Sequence, residues 1–450
     1  MGTKPEVDSS FDAVIERLGI NGEGVARHLG FTLFIDGALP EESVHVHVTE
    51  SRKTYGRAEV LQILTASPNR ATPPCPLFGR CGGCQLMHMD YPMQLNFKRQ
   101  RVVDAIERIG KLKCTVAPCE PSEASLAYRN KIQLPVKMGK EGLSLGLYAK
   151  ESHDLIEIEA CLIHCPLGEK VFQGVAKILK NSKLTAYDAK TQSGELKHIV
   201  IKTAVQKNEV LVVLVTNGSG SPELLSVADQ IIQALVEVKG VIQNRNSLHS
   251  NVILSDDFHV LVGASCITEM LCGLSFKVSP ASFFQVNPAQ AQKLYEKAVS
   301  LCDLRGEEVV LDAYCGVGTL SLILAQRAKN VIGVECVAQA ISDAEENARL
   351  NGISNTRFVC DYAEKFIATL GAIDVALLNP PRKGCEPIFL ETLAKLSPKK
   401  IVYISCDPAT LARDLAILSS KGYFVEEIHP FDMFPQTAHV ESIVRLTRCT

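Results

Sequence analysis

Long apolar runs are absent from this sequence. No stretch approaches the roughly 20 apolar residues that a membrane-spanning helix needs, and the start, MGTKPEVDSSFDAV, holds no apolar run of signal-peptide length. Internal repeats and low-complexity tracts are also missing, and the formal net charge of -3 is not the basic signature of a nucleic-acid binder. These absences predict a soluble cytoplasmic protein without a membrane partner, in which any contact with nucleic acid must come from local basic patches.

The sequence does have enough apolar material for more than one core. Its 450 residues are 46% hydrophobic and 22% charged, an ordinary globular composition, and this length exceeds what one hydrophobic core usually organises. Residues 1–66 alternate apolar and polar residues in short runs that Gly, Pro and Asn interrupt. This pattern predicts a small five-stranded β-barrel, a fold that often binds oligonucleotides.

Cysteine is abundant for a chain without secretory features. The 16 cysteines favour free thiols, metal ligands or a catalytic residue over a disulfide framework. The segment CPLFGRCGGC places five residues between Cys75 and Cys81 and two between Cys81 and Cys84. This spacing is the strongest metal signal in the chain, and a four-cysteine site of this kind could hold zinc or an iron-sulfur cluster.

Strand and helix patterns alternate regularly in the last third of the chain. Seven short β-branched runs are separated by helix-length segments: EVVLDA, NVIGVE, TRFVC, IDVALLN, KIVYIS, FVEEI and SIVRLT. This alternation predicts a doubly wound, Rossmann-like α/β domain over residues 283–450, with ligands at the carboxyl ends of its strands. Residues 67–282 have mixed patterns and are predicted to form a central α+β domain.

The first strand-to-helix turn of this α/β domain, LDAYCGVGTL, is typical of a nucleotide-like cofactor site. Gly316 and Gly318 let the backbone approach a ligand closely, but Ser321 stands where a dinucleotide fingerprint has its third glycine. The next strand ends in Glu335, an acceptor for ribose hydroxyls, and CDYAE follows at 360–364. Together these features favour S-adenosylmethionine over NAD.

The fourth strand ends in LLNPPRKG. Its two prolines stiffen the loop after Asn379 and aim that amide into the crevice, where it could hold a base. Arg382 stands where enzymes that methylate base amino groups normally have an aromatic residue for stacking. The motif therefore argues against an amino group as the methylation target.

Cys406 ends the fifth strand, where its position alone fits a buried thiol and a nucleophile about equally. Carbon 5 of uracil is a poor nucleophile until a group adds to carbon 6, and a thiolate does this well. After methyl transfer the carbon 5 proton must leave, which requires a base. Glu441, in TAHVESIVRL, is an acid at the start of an otherwise apolar strand and is the predicted base.

With these motifs in view, the sequence resembles the uracil-5 RNA methyltransferases, and within them the branch with an N-terminal TRAM domain and a 4Fe-4S cluster that modifies 23S ribosomal RNA. The resemblance covers nearly the whole chain: GEGVAR, GALPEE, CPLFGRCGGCQLMH, YRNK at 128, SFFQVN at 282, DAYCGVGT, NPPR, SCDPATLARD and HVES. It implies an OB-like TRAM barrel over 1–66, a central iron-sulfur and RNA-binding domain over 67–282, and a methyltransferase domain over 283–450. It also implies that residues 93–118 form a helix on the catalytic domain.

The resemblance further implies roles for single residues, with Cys406 as the nucleophile and Glu441 as the base. The donor site would comprise Gln285, Tyr314, Gly316, Gly318, Thr319, Glu335, Asp361 and Asn379, and the cluster would be held by Cys75, Cys81, Cys84 and Cys161. For the fourth cluster ligand, the spacing from HDLIEIEA favours Cys161, whereas the CP dipeptide favours Cys165.

Two departures from the family pattern fall beside the catalytic residues. Asn379 stands where the family usually has Asp, and Asp407 stands where it usually has Asn. An amide can accept from uracil N3–H and donate to O4, so uracil recognition is expected to survive the first exchange. We interpret the two exchanges as a pair that keeps the local charge constant if the sites are adjacent.

The RNA contacts predicted with most support are Arg129 and Lys131, because they lie in YRNK, together with Arg382. Further candidates for phosphate contacts or base stacking are Lys98, Arg99, Arg101, Phe97, Tyr128 and Phe284. Two other classes of function remain open, a transfer-RNA uracil-5 methyltransferase and a non-catalytic iron-sulfur RNA-binding protein. The expected substrate is 23S ribosomal RNA, and the expected oligomeric state is a monomer.

Overall fold

The N-terminal part of the chain is a closed β-barrel. The computed structural model describes residues 3–248, 250 and 252–449. The barrel strands are β1 (Ser10–Leu18), β2 (Gly24–His28), β3 (Phe31–Asp36), β4 (Ser43–Ser51) and β5 (Tyr55–Thr65). They close in the order β1-β2-β3-β5-β4, and the inward side chains include Ile15, Leu33, Ile35, Val44 and Val46. The predicted five-stranded barrel is confirmed.

A helix after the cysteine-rich segment packs onto the C-terminal domain. Helix α1 (Tyr91–Ala105) begins after Asp90, whose side chain accepts a hydrogen bond from Met93 N, and continues into one π turn (Ile106–Gly110). The helix predicted over 93–118 thus ends at Gly110, where Lys111 turns into the left-handed region with φ 52°. A side chain at Gly110 would come within 2.9 Å of the carbonyl of Ala412, so glycine permits the close packing seen here.

The central part is an α+β arrangement around one sheet. Its strands are β6 (Lys131–Gly139), β7 (Gly142–Tyr148), β8 (Leu155–Glu157), β9 (Leu196–Ala204), β10 (Glu209–Thr216), β11 (Val238–Arg245) and β12 (Phe258–Gly263). The sheet order is β12-β11-β10-β9-β6-β7-β8. Helices α2 (Pro166–Lys180) and α3 (Pro222–Ala234) bury their apolar faces against it. A hairpin of β13 (Ile267–Leu271) and β14 (Leu274–Val278) follows.

The C-terminal part is a doubly wound sheet, as predicted. Its strands are β15 (Val309–Ala313), β16 (Asn330–Glu335), β17 (Thr356–Cys360), β18 (Val375–Leu378), β19 (Lys400–Ser405), β20 (Tyr423–Phe431) and β21 (Glu441–Arg448). They lie in the order β17-β16-β15-β18-β19-β21-β20. The first five are parallel, whereas β21 is antiparallel to both of its neighbours.

Helices cover both faces of this sheet. They are α4 (Pro288–Cys302), α5 (Thr319–Ala325), α6 (Ala338–Leu350), α7 (Ala363–Phe366), α8 (Pro387–Leu396) and α9 (Pro408–Ser420). One core joins α1, α8 and α9 to the sheet, and another joins α4, α5 and α6 to it. Strand order reverses between β15 and β18, the kind of switch point where such sheets bind ligands. Among the described residues, no helix is both long and apolar enough to cross a membrane.

Candidate active site

The turn after β15 forms a backbone cradle at the carboxyl edge of the sheet. Tyr314, Gly316 and Gly318 have φ values of 67°, 55° and 78°. A Cβ at Gly318 would lie 2.9 Å from the Phe358 ring, whereas a Cβ at Gly316 would meet nothing within 4 Å. Packing therefore requires Gly318, while Gly316 borders open space. The left-handed backbone of Tyr314 is unusual for a bulky residue and marks a strained position of the kind found at functional sites.

Glu335 is fixed beside this cradle by backbone amides. Its Oε2 accepts a hydrogen bond from Gly316 N at 3.2 Å, and its Oε1 accepts one from Val337 N at 3.1 Å. Asp361, after β17, donates its backbone N–H to the carbonyl of Glu335 at 3.1 Å. The structure thus brings together the turn, Glu335 and Asp361, and half-buried Thr319 opens α5 beside them.

Ser321, which occupies the place of a third glycine, has a local structural role. Its hydroxyl donates to Asp312 Oδ2 at 2.5 Å, and both residues are buried. Burial raises the pKa of Asp312 to about 7, while the bond from Ser321 opposes the increase. The serine supplies a hydrogen bond to one oxygen of a buried carboxylate beneath the turn, which glycine could not do, while Asp312 Oδ1 has no partner among the described residues.

Cys406 lies between β19 and α9, half-buried at the same edge of the sheet. Burial, followed by the nearby Glu441 carboxylate, raises the pKa of its thiol to about 11. Arg382 opposes this increase. Because Cys406 immediately precedes the first turn of α9, the positive end of the helix dipole also favours a thiolate there.

Glu441 opens β21 and is 4% exposed. Burial raises its pKa to about 7, and Arg382 lowers it. Among the described residues, no group donates a hydrogen bond to its carboxylate. Burial, and then the charge of Glu441, raise the pKa of the Tyr295 phenol, and the Gln285 side chain lowers it, so Gln285 and Glu441 both lie near Tyr295.

Asn379 and Asp407 have different environments. Asn379 is half-buried after β18, and its side-chain amide has no hydrogen-bond partner among the described residues. Asp407 is the N-cap of α9, and its Oδ1 accepts hydrogen bonds from Ala409 N and Thr410 N, both at 2.9 Å. Helix capping alone accounts for an acid or an amide at position 407. The paired-charge interpretation stays a prediction.

Four of the cysteines converge in the central part. Burial, and then the neighbouring thiols Cys161, Cys81 and Cys75, raise the pKa of Cys84 to about 12. Cys165 has a different role: it is the N-cap of α2, and its Sγ accepts a hydrogen bond from Gly168 N. In the part of the chain that the structure describes, no group of three or more Cys, His, Asp or Glu side chains is arranged to hold a metal ion.

The structure corrects several candidate RNA contacts on α1. Lys98 is fully buried and forms an ion pair with Asp432, and Phe97 is also buried. Arg101 donates to the carbonyl of Ala438. These groups hold the fold together, so the expectation that Lys98 contacts phosphates and Phe97 stacks on bases is wrong. The signal that the sequence offered was charge alone, which does not distinguish a buried ion pair from an exposed patch.

Aromatic residues expected to stack on RNA are also placed differently. Tyr128 is buried, and its hydroxyl donates to the carbonyl of Pro435 at 3.0 Å. Phe284 packs against Phe276, whereas the preceding Phe283 is 71% exposed. Within SFFQVN, the ring available to a base is therefore Phe283, which the sequence analysis missed.

The three best-supported RNA candidates are at least partly accessible. Arg129 and Lys131 are half-buried, and Arg382 is exposed. Arg129 Nε donates to the carbonyl of Lys131 at 2.9 Å. Neither the Lys131 ammonium nor the Arg382 guanidinium has a hydrogen-bond or ion-pair partner among the described residues. Both cations are therefore available to an anionic ligand.

The sheet order with its antiparallel β21, the glycine turn, and Cys406 beside Glu441 at the same edge are typical of a methyltransferase-type domain, which here is joined to a nucleic-acid-binding type of barrel. Comparisons with known proteins agree. The model of the tRNA (Uracil-5-)-methyltransferase family matches residues 229–449, and that of the TRAM domain matches residues 6–61. An uncharacterized RNA methyltransferase from Clostridium tetani is 42% identical over 444 residues, which cover 98% of this chain and 96% of that protein.

Two more matches extend along the chain. An uncharacterized RNA methyltransferase from Listeria innocua is 42% identical and covers 98% of both chains. The crystal structure of the Pyrococcus abyssi tRNA (uracil-54, C5)-methyltransferase in complex with S-adenosyl-L-homocysteine superposes with a TM-score of 0.79 at 27% identity, covering 97% of this chain and 100% of that one. This chain belongs to the family of RNA uracil-5 methyltransferases.

Proposed function

We propose that the protein transfers a methyl group from S-adenosylmethionine to carbon 5 of a uridine in 23S ribosomal RNA. The observation that carries the proposal is the meeting of Cys406, the buried Glu441 and the Gly316 turn at one edge of the sheet. The Pyrococcus abyssi enzyme was solved with S-adenosyl-L-homocysteine, the demethylated product of this donor, which supports the same donor here.

The first step belongs to Cys406. Its thiolate adds to carbon 6 of uracil, forming an S–C6 bond and making carbon 5 nucleophilic. Arg382 and the start of α9 favour the thiolate against the burial that raises its pKa to about 11. Bound S-adenosylmethionine supplies the electrophilic methyl group. Glu335 would accept hydrogen bonds from its ribose, with Gly316, Gly318, Thr319 and Asp361 lining the same rim.

The last step belongs to Glu441. Its carboxylate takes the proton from carbon 5, the electrons of the C–H bond restore the C5–C6 double bond, and the S–C6 bond breaks to release Cys406. A base works best when its pKa is near the working pH. The pKa of about 7 at Glu441 meets this condition. Asn379, with an unpartnered amide, would recognise the N3–H and O4 edge of uracil.

We further propose that Cys75, Cys81, Cys84 and Cys161 hold a 4Fe-4S cluster. The convergence of four thiols supports this. Four cysteines are also a ligand set for zinc, so the metal content of the purified protein decides between the two. Cysteine thiolates are the usual ligands of a 4Fe-4S cluster. Its chemistry here would be structural support.

The cluster ligands can be tested without an activity assay. Iron and acid-labile sulfide would be measured in anaerobically purified protein, together with the absorbance of the cluster. Cys161→Ala is expected to lose iron, whereas Cys165→Ala is expected to keep it. Iron loss only in Cys165→Ala would exchange the two assignments, and zinc in place of iron would overturn the cluster.

The choice of RNA requires its own experiment, because the Pyrococcus abyssi tRNA enzyme matches 97% of this chain. Architecture therefore does not separate the two substrates, and transfer RNA is the second candidate. Donor with an isotopically labelled methyl group would be offered separately to unmodified 23S ribosomal RNA and transfer RNA, followed by nuclease digestion and mass spectrometry. We expect labelled 5-methyluridine from ribosomal RNA and none with Cys406→Ala. Label only in transfer RNA would overturn the substrate, and no label would overturn the activity.

A further inference from the structure

The loop over residues 432–440, which we call the base loop, carries the chain from β20 to Glu441. Most of its residues are buried. The carboxylate of Glu441 has no hydrogen-bond donor among the described residues, so its position depends on the backbone that carries it. That backbone is held by the pairing of Glu441 with Phe431 in β20 and by the base loop that precedes it. Whatever fixes the base loop therefore helps to fix the predicted base.

The centre of the base loop is a strained residue. Gln436 has φ 69°, in the left-handed region that side-chain-bearing residues rarely adopt. Such a conformation persists only when surrounding contacts over-determine it. Gln94 of α1 supplies two of these contacts: its Oε1 accepts from Gln436 N at 3.1 Å, and its Nε2 donates to Gln436 Oε1 at 3.0 Å. Both side chains are buried.

The segment that follows Cys84 supplies further contacts to the same residue. Gln85 N and Leu86 N donate to the carbonyl of Gln436 at 2.9 and 3.0 Å. The side chain of Gln85 also accepts from Ala438 N at 3.4 Å. The cysteine segment, by which we mean residues 75–86, thus ends in direct hydrogen bonds to the base loop.

Other elements hold the two sides of the loop. Lys98 donates to the carbonyl of Phe434 at 2.9 Å in addition to its ion pair with Asp432. Tyr128, which packs in a cluster with Cys84 and Cys161, donates to the carbonyl of Pro435. Three further contacts complete the set: Asn287 Nδ2 donates to the carbonyl of Met433 at 3.3 Å, Asp432 N donates to the carbonyl of Glu120 at 2.9 Å, and Gln436 Nε2 donates to the carbonyl of Ser125 at 3.3 Å. Most anchors come from α1 or from the neighbourhood of the cysteines, far from Glu441 in sequence.

We propose that Gln94 and Gln436 are positioning residues for Glu441, and that the cysteine segment stabilises the position of this base through its hydrogen bonds to Gln436. The inference rests on the proposed function, since it assigns a task to the loop before the proposed base. It also gives the cysteine site a task in catalysis that does not need electron transfer. Loss of the hydrogen bonds to Gln436 should slow proton removal and leave the addition of Cys406 to uracil intact.

The two steps can be separated with RNA in which 5-fluorouridine replaces the target uridine. Its carbon 5 carries no proton, so the adduct between Cys406 and the methylated base cannot resolve, and trapping reports addition and methyl transfer without the base. Gln94→Met keeps a similar side-chain volume and removes both bonds to Gln436, together with a third from Gln94 Nε2 to the carbonyl of Met89 at 3.1 Å. Gln100→Met, at an exposed position on the same helix, is the matched control.

For Gln94→Met we expect kcat on ordinary RNA to fall about tenfold, as the loss of the two buried hydrogen bonds to the base loop suggests. The KM for RNA and the trapping rate on 5-fluorouridine RNA should stay at the wild-type level, and covalent adduct on ordinary RNA should accumulate. Equal losses in turnover and trapping, or wild-type behaviour, would overturn the inference. Failure of the wild-type protein to form any adduct would instead overturn the proposed function.

The part of the inference that concerns the cysteine segment can be tested without an activity assay. Hydrogen–deuterium exchange would be followed in peptides that cover residues 432–440. Cys81→Ser should make these amides exchange faster, as should Gln94→Met, because both variants loosen the contacts around Gln436. Faster exchange confined to the cysteine segment would show that its hydrogen bonds to Gln436 do not stabilise the base loop. That result would overturn this part of the inference.

Discussion

The cleft contains two glutamates at strand ends, and their surroundings differ. Glu335, on the proposed cofactor side, is half-buried and receives hydrogen bonds from two backbone amides. Glu441, on the proposed catalytic side, is buried, lacks a hydrogen-bond donor among the described residues, and has a pKa raised to about 7. One carboxylate already accepts hydrogen bonds from the backbone, and burial without such donors raises the pKa of the other.

Because both residues are glutamates, the difference in their proposed roles comes from their environments and not from the residue type. Backbone donors stabilise the charged form of a carboxylate, whereas burial without donors stabilises the protonated form. The protein builds the first environment from a turn and the second from an antiparallel strand and the anchored base loop. Exchanging either acid for its amide should therefore produce opposite kinetic patterns.

The largest effect is expected for Glu441→Gln. Loss of the base should lower kcat by about 10²- to 10⁴-fold, while binding of the donor stays unchanged. Because addition and methyl transfer continue, the covalent RNA adduct should accumulate and appear on a denaturing gel. Glu427→Gln, at an exposed position on the neighbouring β20, is the control. A variant that loses adduct and turnover together would assign Glu441 to an earlier step.

Glu335→Gln should show the opposite pattern. Removing the charge but keeping an acceptor oxygen weakens the hydrogen bonds to a ribose by about 1–1.5 kcal/mol, so the affinity for S-adenosylhomocysteine should fall roughly five- to tenfold. Titration calorimetry would measure this affinity, and kcat at saturating donor should change little. If kcat fell while the affinity held, the proposed contrast between a binding glutamate and a basic one would be wrong.

Local patterns in the sequence were sufficient for much of this picture. The seven strands follow from β-branched runs, and Glu335, Cys406 and Glu441 stand out because each lies at a strand end. In the sequence, Ser321 shows only that a third glycine is absent from the turn. Its hydrogen bond to Asp312 exists only in the folded turn, so the sequence could not predict it.

The long-range anchors could not be predicted in the same way. Lys98 pairs with Asp432 across 334 residues, and Gln94 meets Gln436 across 342. Periodicity describes which face of a helix is apolar, but it does not identify the polar partner that compensates a buried lysine or glutamine. The sequence consequently suggested RNA contacts where the fold has internal ones.

Arg382 provides a smaller and more specific test of the environment around Glu441. Its charge lowers the pKa values of both Glu441 and Cys406, so Arg382→Gln should raise both. At pH 7 less base and less thiolate would then be present, and the acidic limb of the rate profile should move upward by up to about one pH unit. Salt should reproduce part of this shift in the wild type, because Arg382 is exposed. An unmoved limb, with only weaker RNA binding, would confine Arg382 to phosphate contact.

Asp407 gives the smallest expected effect and sharpens the comparison, because it is a second carboxylate held by backbone amides but lies next to the nucleophile. Its charge raises the pKa of Cys406 less than burial and Glu441 do. Asp407→Asn keeps the helix cap, since asparagine caps as well as aspartate, and should lower the Cys406 pKa by a fraction of a unit. The pH dependence of alkylation of Cys406 would measure this, with Asp407→Ala as the variant that loses both charge and cap. If Asp407→Asn left the alkylation profile unmoved while Asp407→Ala destabilised the protein, Asp407 would act through the cap alone, and the exchange at Asn379 would need an explanation independent of charge.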